Sequence, residues 1–143
     1  MQTFLPYSDF TKTAVALDYR RLGKQRVECK QIYMALTTPE YGWQNHPAVK
    51  QWKGYESALV RYAIAICQEW RKRGYKDAQL NYFMALPHES TEMPPWMGYE
   101  PFHSSHRQVL LSKDLSWYSQ FGWSETPKYE YVWPSQMLQG LFI

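Results

Sequence analysis

Apolar residues recur at three- and four-residue steps through the first part of the chain, a spacing typical of amphipathic helices. The first such stretch begins near Phe10, after Ser8 or Asp9 as a cap, and continues with one interruption to Leu36. We expect a kink at Gly23, the one glycine inside this stretch. The pattern therefore predicts a long first helix.

A second helix is predicted with Asn45 or His46 as its cap, Pro47 in its first turn and Gly74 at its end. Its apolar stripe consists of Val49, Trp52, Leu59, Tyr62, Ala63, Ile66 and Trp70. The cations at residues 71–73 suit the negative end of the helix dipole.

The rest of the chain predicts a short helix over residues 77–86, a proline-rich irregular stretch, and a last helix from Pro101 to Lys113. Residues 117–123 and 129–134 have the pattern of extended aromatic loops. No strand alternation of useful length occurs. A chain of 143 residues has the length of one domain. We predict an all-α domain over residues 1–143, with three to four helices and long aromatic loops.

Composition narrows the class of protein. With 45% hydrophobic and 17% aromatic residues, the chain is too apolar to be disordered. The longest apolar run, 63–67, is far shorter than the ~20 residues of a membrane span, and no leader-like segment precedes it. Cys29 and Cys67 lie on apolar stripes, which favours buried thiols and a cytoplasmic protein.

Charge is segregated along the chain. Residues 1–76 hold 13 Lys and Arg against 6 Asp and Glu, whereas residues 77–143 hold 3 against 7. Five cations crowd into eleven residues: Arg20, Arg21, Lys24, Arg26 and Lys30. Such a basic region attracts a polyanion, and phosphate is the expected partner. The alternative is an ordinary solvated helix surface.

Polar residues interrupt the apolar stripe of the first helix. Asp18 and Gln25 fall in the middle of the stripe, and Arg21 and Glu28 lie along one edge. A polar group inside an apolar face is costly unless it is paired. Either Arg21 pairs with Asp18 and Glu28 in a structural network, or these groups form a partly buried site with perturbed pKa values.

His103 and His106 are spaced i, i+3 at the start of the last helix, beside Arg107. Two histidines without a third ligand give no reason to expect a metal. Contact with phosphate or bases is one interpretation, and capping or an ordinary surface position is the other. Trp117, Tyr118 and Phe121, with Trp123, either stack on bases or pack the core.

The N-terminal amine is a candidate nucleophile. An α-amino group titrates near ~7.7 to 8.0, so a large neutral fraction exists at cellular pH. Gln2 is too bulky for ordinary methionine trimming, so we expect Met1 to stay and to supply this amine.

Four segments resemble the pyrimidine-dimer DNA glycosylase family, the small all-α enzymes like phage endonuclease V. They are residues 16–22 (ALDYRRL), 67–77 (CQEWRKRGYKD), 103–113 and 117–122 (WYSQFG), in the family's order. The resemblance implies a glycosylase and abasic-site lyase whose N-terminal amine attacks the sugar C1′ to give a Schiff base. It also implies a helix glutamate that assists, and a kinked duplex with one nucleotide flipped out.

Transferred to this chain, the resemblance assigns the amine to Met1 and the phosphate contacts to four cations: Arg20, Arg21, Lys24 and Arg26. It implies double-stranded DNA as the partner, a monomer, and no cofactor. The family's Tyr-Arg-Glu-Leu reads Tyr19-Arg20-Arg21-Leu22 here, so the carboxylate must come from elsewhere. Glu28 is our first candidate and Asp18 the second.

The replaced glutamate and the retained Met1 leave other functions open. Pyrimidine dimers are the first expected lesion, and another damaged or modified base is the alternative. A DNA-binding relative without catalysis, or a protein that binds or processes a small nucleotide or modified base, also fits the sequence.

Overall fold

The computed structural model describes residues 1–134, and every regular element in that range is helical. The α-helices are α1 (Phe10–Ala16), α2 (Tyr19–Thr37), α3 (Pro47–Lys50), α4 (Glu56–Lys72), α5 (Leu80–Met84), α6 (Glu100–Lys113) and α7 (Leu115–Tyr118). Two short 3-10 helices cover Pro39–Tyr41 and Ser119–Phe121. The predicted all-α class is confirmed, but the described part has seven α-helices instead of three to four.

The first predicted helix is divided at a different residue from the one expected. Leu17 and Asp18 both adopt extended backbone angles, so α1 ends and α2 begins there. Gly23 lies inside α2 and is a packing position, since a Cβ on it would approach Trp70 Cη2 to 2.8 Å. Helix α2 continues through Gly23 without a break, and the missing side chain makes room for an indole ring.

The second predicted helix is also divided. The His46 cap is confirmed, because its Nδ1 accepts a hydrogen bond from the Ala48 N–H at 3.0 Å. A turn over residues 51–55, with Gly54 at φ +86°, separates α3 from α4. Gly74 ends the helical stretch as predicted, with φ +94°.

The C-terminal half follows the prediction more closely. Helix α5 lies within the predicted 77–86 segment, and α6 ends at Lys113 as expected. Residues 115–121 are helical where we expected a loop, because the Asp114 side chain accepts the Trp117 N–H and caps α7. Residues 122–133 contain no regular element.

Helix α4 is the centre of the core and packs against α1, α2 and α5. The largest fully buried side chains include Trp52, Tyr62, Phe83, Phe102 and Tyr118. Cys29 and Cys67 are buried and unpaired, as expected. No helix among residues 1–134 is long and apolar enough to cross a membrane.

The start of the chain runs through this core. Residues 2–6 are all buried, yet they belong to no helix and to no strand. Buried backbone groups must find hydrogen-bond partners, so side chains have to supply them. The partners come from α2, α4 and α6, and they define the site.

Candidate active site

The polar residues of α2 bind the first residues of the chain. Glu28 Oε2 accepts the Gln2 N–H at 2.7 Å. The Gln25 side chain accepts the Phe4 N–H at 2.8 Å and donates to the Gln2 carbonyl at 2.5 Å. From α4, the Tyr62 hydroxyl donates to the Phe4 carbonyl at 2.6 Å. Gln25 and Glu28, two of the polar residues in the apolar stripe, thus form the docking site of the extended N-terminal segment.

Two histidines of α6 bind the next residue, Leu5, from both sides. His106 Nδ1 accepts the Leu5 N–H at 2.9 Å, and His103 Nδ1 donates to the Leu5 carbonyl at 2.8 Å. His103 Nε2 accepts the Gly98 N–H at 2.9 Å, so both of its nitrogens are in use. Their i, i+3 spacing turns both rings towards one residue.

Burial keeps these histidines neutral. It lowers the pKa of His103 below its ordinary value and lowers the pKa of His106 to about 3. Both rings are buried in the core. The predicted contact of His103 and His106 with phosphate or bases is therefore wrong.

Arg107 also binds groups within the protein. Its guanidinium donates to Glu125 at 2.8 Å, to the Pro6 carbonyl at 2.7 Å, and to Glu100. Only 12% of its side chain is exposed. The predicted phosphate contact of Arg107 is wrong, because two carboxylates neutralise it and it holds the end of the N-terminal segment.

A cavity of about 280 Å³ opens where the chain begins. Met1, Gln2 and the Glu28 carboxylate form one side of its wall. Its cations are Arg20, Arg21, Lys24 and Lys113, and Tyr129 and Tyr131 line the remaining side. Lys113 was not singled out from the sequence as a site residue, because it lies 85 residues beyond Glu28 in the chain.

Within this cavity the chain start and the carboxylate are neighbours. The Met1 amine is one residue, at most about 3.6 Å of extended chain, from the Gln2 nitrogen that Glu28 binds. Glu28 is buried, and its second oxygen, Oε1, lies 3.7 Å from Lys24 Nζ. Among residues 1–134 the amine itself forms no ion pair within 4.0 Å.

Asp18 faces a different set of groups. The Tyr118 hydroxyl donates to its carboxylate, and Arg21 donates to both of its oxygens at 3.2 Å. Asp18 does not line the cavity. The structural interpretation of the Arg21–Asp18 pair is confirmed, whereas no bond joins Arg21 to Glu28 in the described residues.

The predicted phosphate-binding cations separate into two groups. Arg20, Arg21 and Lys24 line the cavity, and Arg20 has no ion pair in the described part of the chain. Arg26 instead binds the buried carboxylate of Asp77 and lies over the Trp70 ring at 4.6 Å. The phosphate contact predicted for Arg26 is wrong because this pair uses its charge inside the fold.

The aromatic residues after α6 pack the core. Tyr118 is fully buried, Trp117 Nε1 donates to the Ala16 carbonyl at 2.8 Å, and the Phe121 ring stacks on Trp123 at 5.3 Å. The base-contacting role predicted for Tyr118 is wrong, because this ring is fully buried. Trp117 and Phe121 are half-buried and pack against the core, and a base contact for them stays a prediction. Different aromatic residues, Tyr129 and Tyr131, reach the cavity.

His46 was identified from the sequence as a helix cap only. Partial burial, and next the positive charge of the N-terminal amine, lower its pKa. This coupling places His46 in the electrostatic surroundings of the site. No local sequence signal indicates it, because His46 and Met1 meet only through the tertiary fold.

The described residues contain no group of three or more His, Cys, Asp or Glu arranged to hold a metal ion. What they contain is a buried carboxylate beside the chain start, in a basic cavity of a helical fold. This arrangement is suited to chemistry on a phosphate-bearing substrate.

Comparison with known families identifies the class of protein. Residues 1–82 match the family model described as pyrimidine dimer DNA glycosylase, which is more than half of the chain. The chain belongs to the pyrimidine dimer DNA glycosylase family, so the resemblance expected from the sequence is confirmed. Searches of curated proteins and of solved structures returned no match. The matched range includes Glu28 and the α2 cations, but not Lys113, Tyr129 or Tyr131.

Proposed function

We propose that the protein is a DNA glycosylase with abasic-site lyase activity, and that the Met1 amine is its nucleophile. Pyrimidine dimers are the proposed lesion, with other damaged bases as the alternative. One observation carries the proposal. The Glu28 carboxylate is bound at 2.7 Å to the Gln2 nitrogen, one residue from the amine, in a basic cavity.

The proposed reaction begins with the neutral amine. Its lone pair forms a bond to C1′ as the bond between C1′ and the base breaks, and the base leaves with that electron pair and takes up a proton. The sugar ring then opens as the amine nitrogen loses its protons and O4′ gains one, which leaves a Schiff base. Loss of a C2′ proton expels the 3′ phosphate, and water hydrolyses the Schiff base to free the amine.

Glu28 is the proposed proton carrier in these steps. Its Oε2 is held by the Gln2 N–H, which fixes the carboxylate beside the chain start. Its Oε1 lies 3.7 Å from the exposed Lys24 ammonium and accepts no hydrogen bond from the described residues, which leaves it free to carry a proton. A positioned acid or base of this kind contributes roughly 10²- to 10⁴-fold to a rate.

Double-stranded DNA is the proposed substrate, with Arg20, Arg21, Lys24 and Lys113 as phosphate contacts. A cavity of about 280 Å³ accepts one extruded sugar or base and leaves the duplex outside. We propose that the protein acts as a monomer. The two buried free thiols support a cytoplasmic location.

Borohydride trapping tests this proposal. Reduction should couple the protein covalently to an abasic duplex and to ultraviolet-irradiated duplex, and mass spectrometry should locate the adduct on the N-terminal peptide. Acetylation of the N-terminus should abolish trapping. Lys24→Arg, which keeps the charge and removes the nearest competing lysine amine, should still be trapped. An adduct on Lys24 or Lys113 would refute the role of Met1.

A second candidate is a DNA-binding protein of the same family without catalysis. The Arg21–Asp18 pair favours it, because an arginine engaged in a structural pair stands at the position of the family's glutamate. Binding to duplex DNA that weakens steeply with salt, with no adduct and no strand cleavage, would identify this candidate.

A further inference from the structure

A row of aromatic rings begins at the cavity. It consists of Tyr129, Tyr131, Trp133, His46 and Trp43, and we call it the aromatic track. We propose that the aromatic track binds unpaired nucleotides of a DNA strand that continues from the cavity, so that the protein prefers lesions next to single-stranded DNA. The proposal rests on the proposed function only for the identity of the nucleic acid.

The track is continuous. Ring centroids are separated by 5.8 Å from Tyr129 to Tyr131 and by 5.4 Å from Tyr131 to Trp133. The row continues over 6.4 Å from Trp133 to His46 and over 6.1 Å from His46 to Trp43. Tyr129 and Tyr131 also line the cavity, so the track begins at the site itself.

Both ends of the track are open to solvent. Trp43 is 61% exposed and Tyr129 is 67% exposed, whereas the three rings between them are half-buried. Exposed rings fixed by ring neighbours provide π-faces on which bases stack with little regard to sequence. The three half-buried rings connect the two exposed rings.

The backbone of Trp43 provides a second, independent observation. Its φ of +65° is the one positive value of a non-glycine residue among residues 1–134. A tryptophan rarely adopts this conformation, and such strained positions cluster at binding sites. The Gln44 side chain holds the loop by donating to the carbonyls of Thr38 and Pro39 at 3.2 and 2.8 Å.

Lysines lie beside Tyr129 and beside the chain neighbours of Trp133 and Trp43. Lys113 Nζ lies 4.7 Å from the centroid of the Tyr129 ring. Lys50 lines one surface cavity together with Pro134, the residue after Trp133. Lys50 and Lys53 line a second cavity together with Gln44, the residue after Trp43. The acid on this segment, Glu130, is paired with Lys128 at 3.0 Å. A strand with a phosphate at every nucleotide fits rings flanked by cations.

The test compares two DNA ligands that carry the same non-cleavable abasic-site analogue. One is fully paired, and the other has about four unpaired nucleotides on one side of the site, built once with each strand polarity. Fluorescence anisotropy gives the ratio of their dissociation constants. We expect the wild type to bind one unpaired ligand at least about fivefold more tightly than the duplex, the lower end for one stacked base.

Trp43→Ala should bring that ratio close to one and leave duplex affinity unchanged. Trp43→Gly, which also suits the backbone angle, should do the same without loss of stability. Tyr41→Ala is the matched control, because Tyr41 is an exposed aromatic residue of the same loop outside the track. Its ratio should equal that of the wild type.

Two results would overturn the proposal: a wild-type ratio of one with both polarities, or a Trp43→Ala ratio equal to that of the wild type. The assay needs no catalysis, so it is separate from trapping. A lost preference in Trp43→Ala without any trapped adduct would support the track and refute the proposed lyase. A trapped adduct without any preference for the unpaired ligand would support the proposed lyase and refute the aromatic track.

Discussion

The main-chain nitrogen of Gln2 and the carboxylate of Glu28 are joined by a hydrogen bond of 2.7 Å across 26 residues of sequence. Glu28 immediately precedes Cys29, which belongs to the apolar stripe of α2, so the packing of that stripe directs the carboxylate to the chain start. The helix and the N-terminal segment therefore fix each other.

Glu28→Gln should remove the proton-transfer group without removing the tether. The glutamine carbonyl still accepts the Gln2 N–H, so the free energy of unfolding of the variant should be close to that of the wild type. Trapping on abasic duplex should slow by roughly 10²- to 10⁴-fold. Single-turnover kinetics would measure the rate, and a rate within a few fold of the wild type would remove Glu28 from the mechanism.

Asp18→Asn is the informative comparison, since Asp18 was our second candidate for the catalytic carboxylate. Its bonds go to Arg21 and Tyr118, and Asp18 itself does not line the cavity. Loss of the charge should lower the free energy of unfolding by about 1–3 kcal/mol. The trapping rate of the folded protein should fall far less than in Glu28→Gln. A larger fall in Asp18→Asn would indicate that Asp18 is the catalytic carboxylate and Glu28 the structural one.

Arg20 and Arg26 lie on the same helix and should respond in opposite ways. Arg20→Ala should change stability by less than about 0.5 kcal/mol, since Arg20 is exposed. It should weaken DNA binding for all sequences and reduce the slope of log K against log salt by about one. Titrations at several salt concentrations measure this slope.

Arg26→Ala should leave that slope unchanged. Instead it removes one partner of the Asp77 carboxylate, which keeps Arg71 at 3.3 Å and the Gln79 and Leu80 N–H groups. The loss should cost about 1–3 kcal/mol of stability. Denaturant unfolding checks this. If Arg26→Ala changed the slope and Arg20→Ala did not, our division of the basic residues would be reversed.

The helical class and the polar positions of α2 could be predicted because both depend on local spacing. Asp18, Gln25 and Glu28 stood out as polar residues in an apolar stripe, and all three are buried. What the stripe could not reveal was the partner of Gln25 and Glu28. An extended chain start has no periodicity, so its passage through the core left no local signal.

The errors at His103, His106, Arg107 and Arg26 have a common cause. A histidine or arginine that binds phosphate and one that satisfies a buried carbonyl or carboxylate look the same in a sequence. Glu100 lies two turns before Arg107 on the same helix. The carboxylates of Asp77 and Glu125 come from other segments, and only the fold brings them to Arg26 and Arg107. The same holds for Tyr129 and Tyr131, which reach the cavity from the far end of the described chain.

The buried histidines predict how stability depends on pH. The pKa of His106 is about 3 in the folded protein against an ordinary value of 6.5, so below pH 6.5 the unfolded chain binds a proton that the folded protein does not. Stability is full above pH 6.5 and falls with decreasing pH, by up to about 1.4 kcal/mol per unit for this one group. His103 contributes in the same direction.

His106→Asn tests this dependence, because its side-chain oxygen can still accept the Leu5 N–H and does not titrate. The variant should be less stable at pH 7 but should lose stability less steeply between pH 6.5 and 4.5. Asp77 and Glu125, whose pKa values are lowered, contribute equally to both proteins, so the difference between the two slopes reports His106. Denaturant unfolding at each pH measures the slope, and equal slopes would contradict a neutral His106.

Gly23→Ala should destabilise the protein even though alanine favours helix. The new Cβ would lie 2.8 Å from Trp70, whose indole donates to the Lys76 carbonyl and stacks against Tyr75. Overpacking should outweigh the gain of about 1 kcal/mol in helix propensity, for a net loss of about 1 kcal/mol or more.

The smaller ring of Trp70→Phe should relieve this clash. Gly23→Ala should therefore cost less in the Trp70→Phe background than in the wild type, and a double-mutant cycle measures the difference. A stabilising Gly23→Ala in the wild type would contradict the predicted overpacking against Trp70.

The burial of residues 2–6 has a practical consequence for anyone who heats or engineers this protein. An active centre on a surface loop can soften first, so that catalysis disappears while the body stays intact. Here the proposed nucleophile is attached to a segment that the interior holds, so heat inactivation and global melting should coincide. Those five residues also cannot be randomised in a library as though they were a dispensable leader.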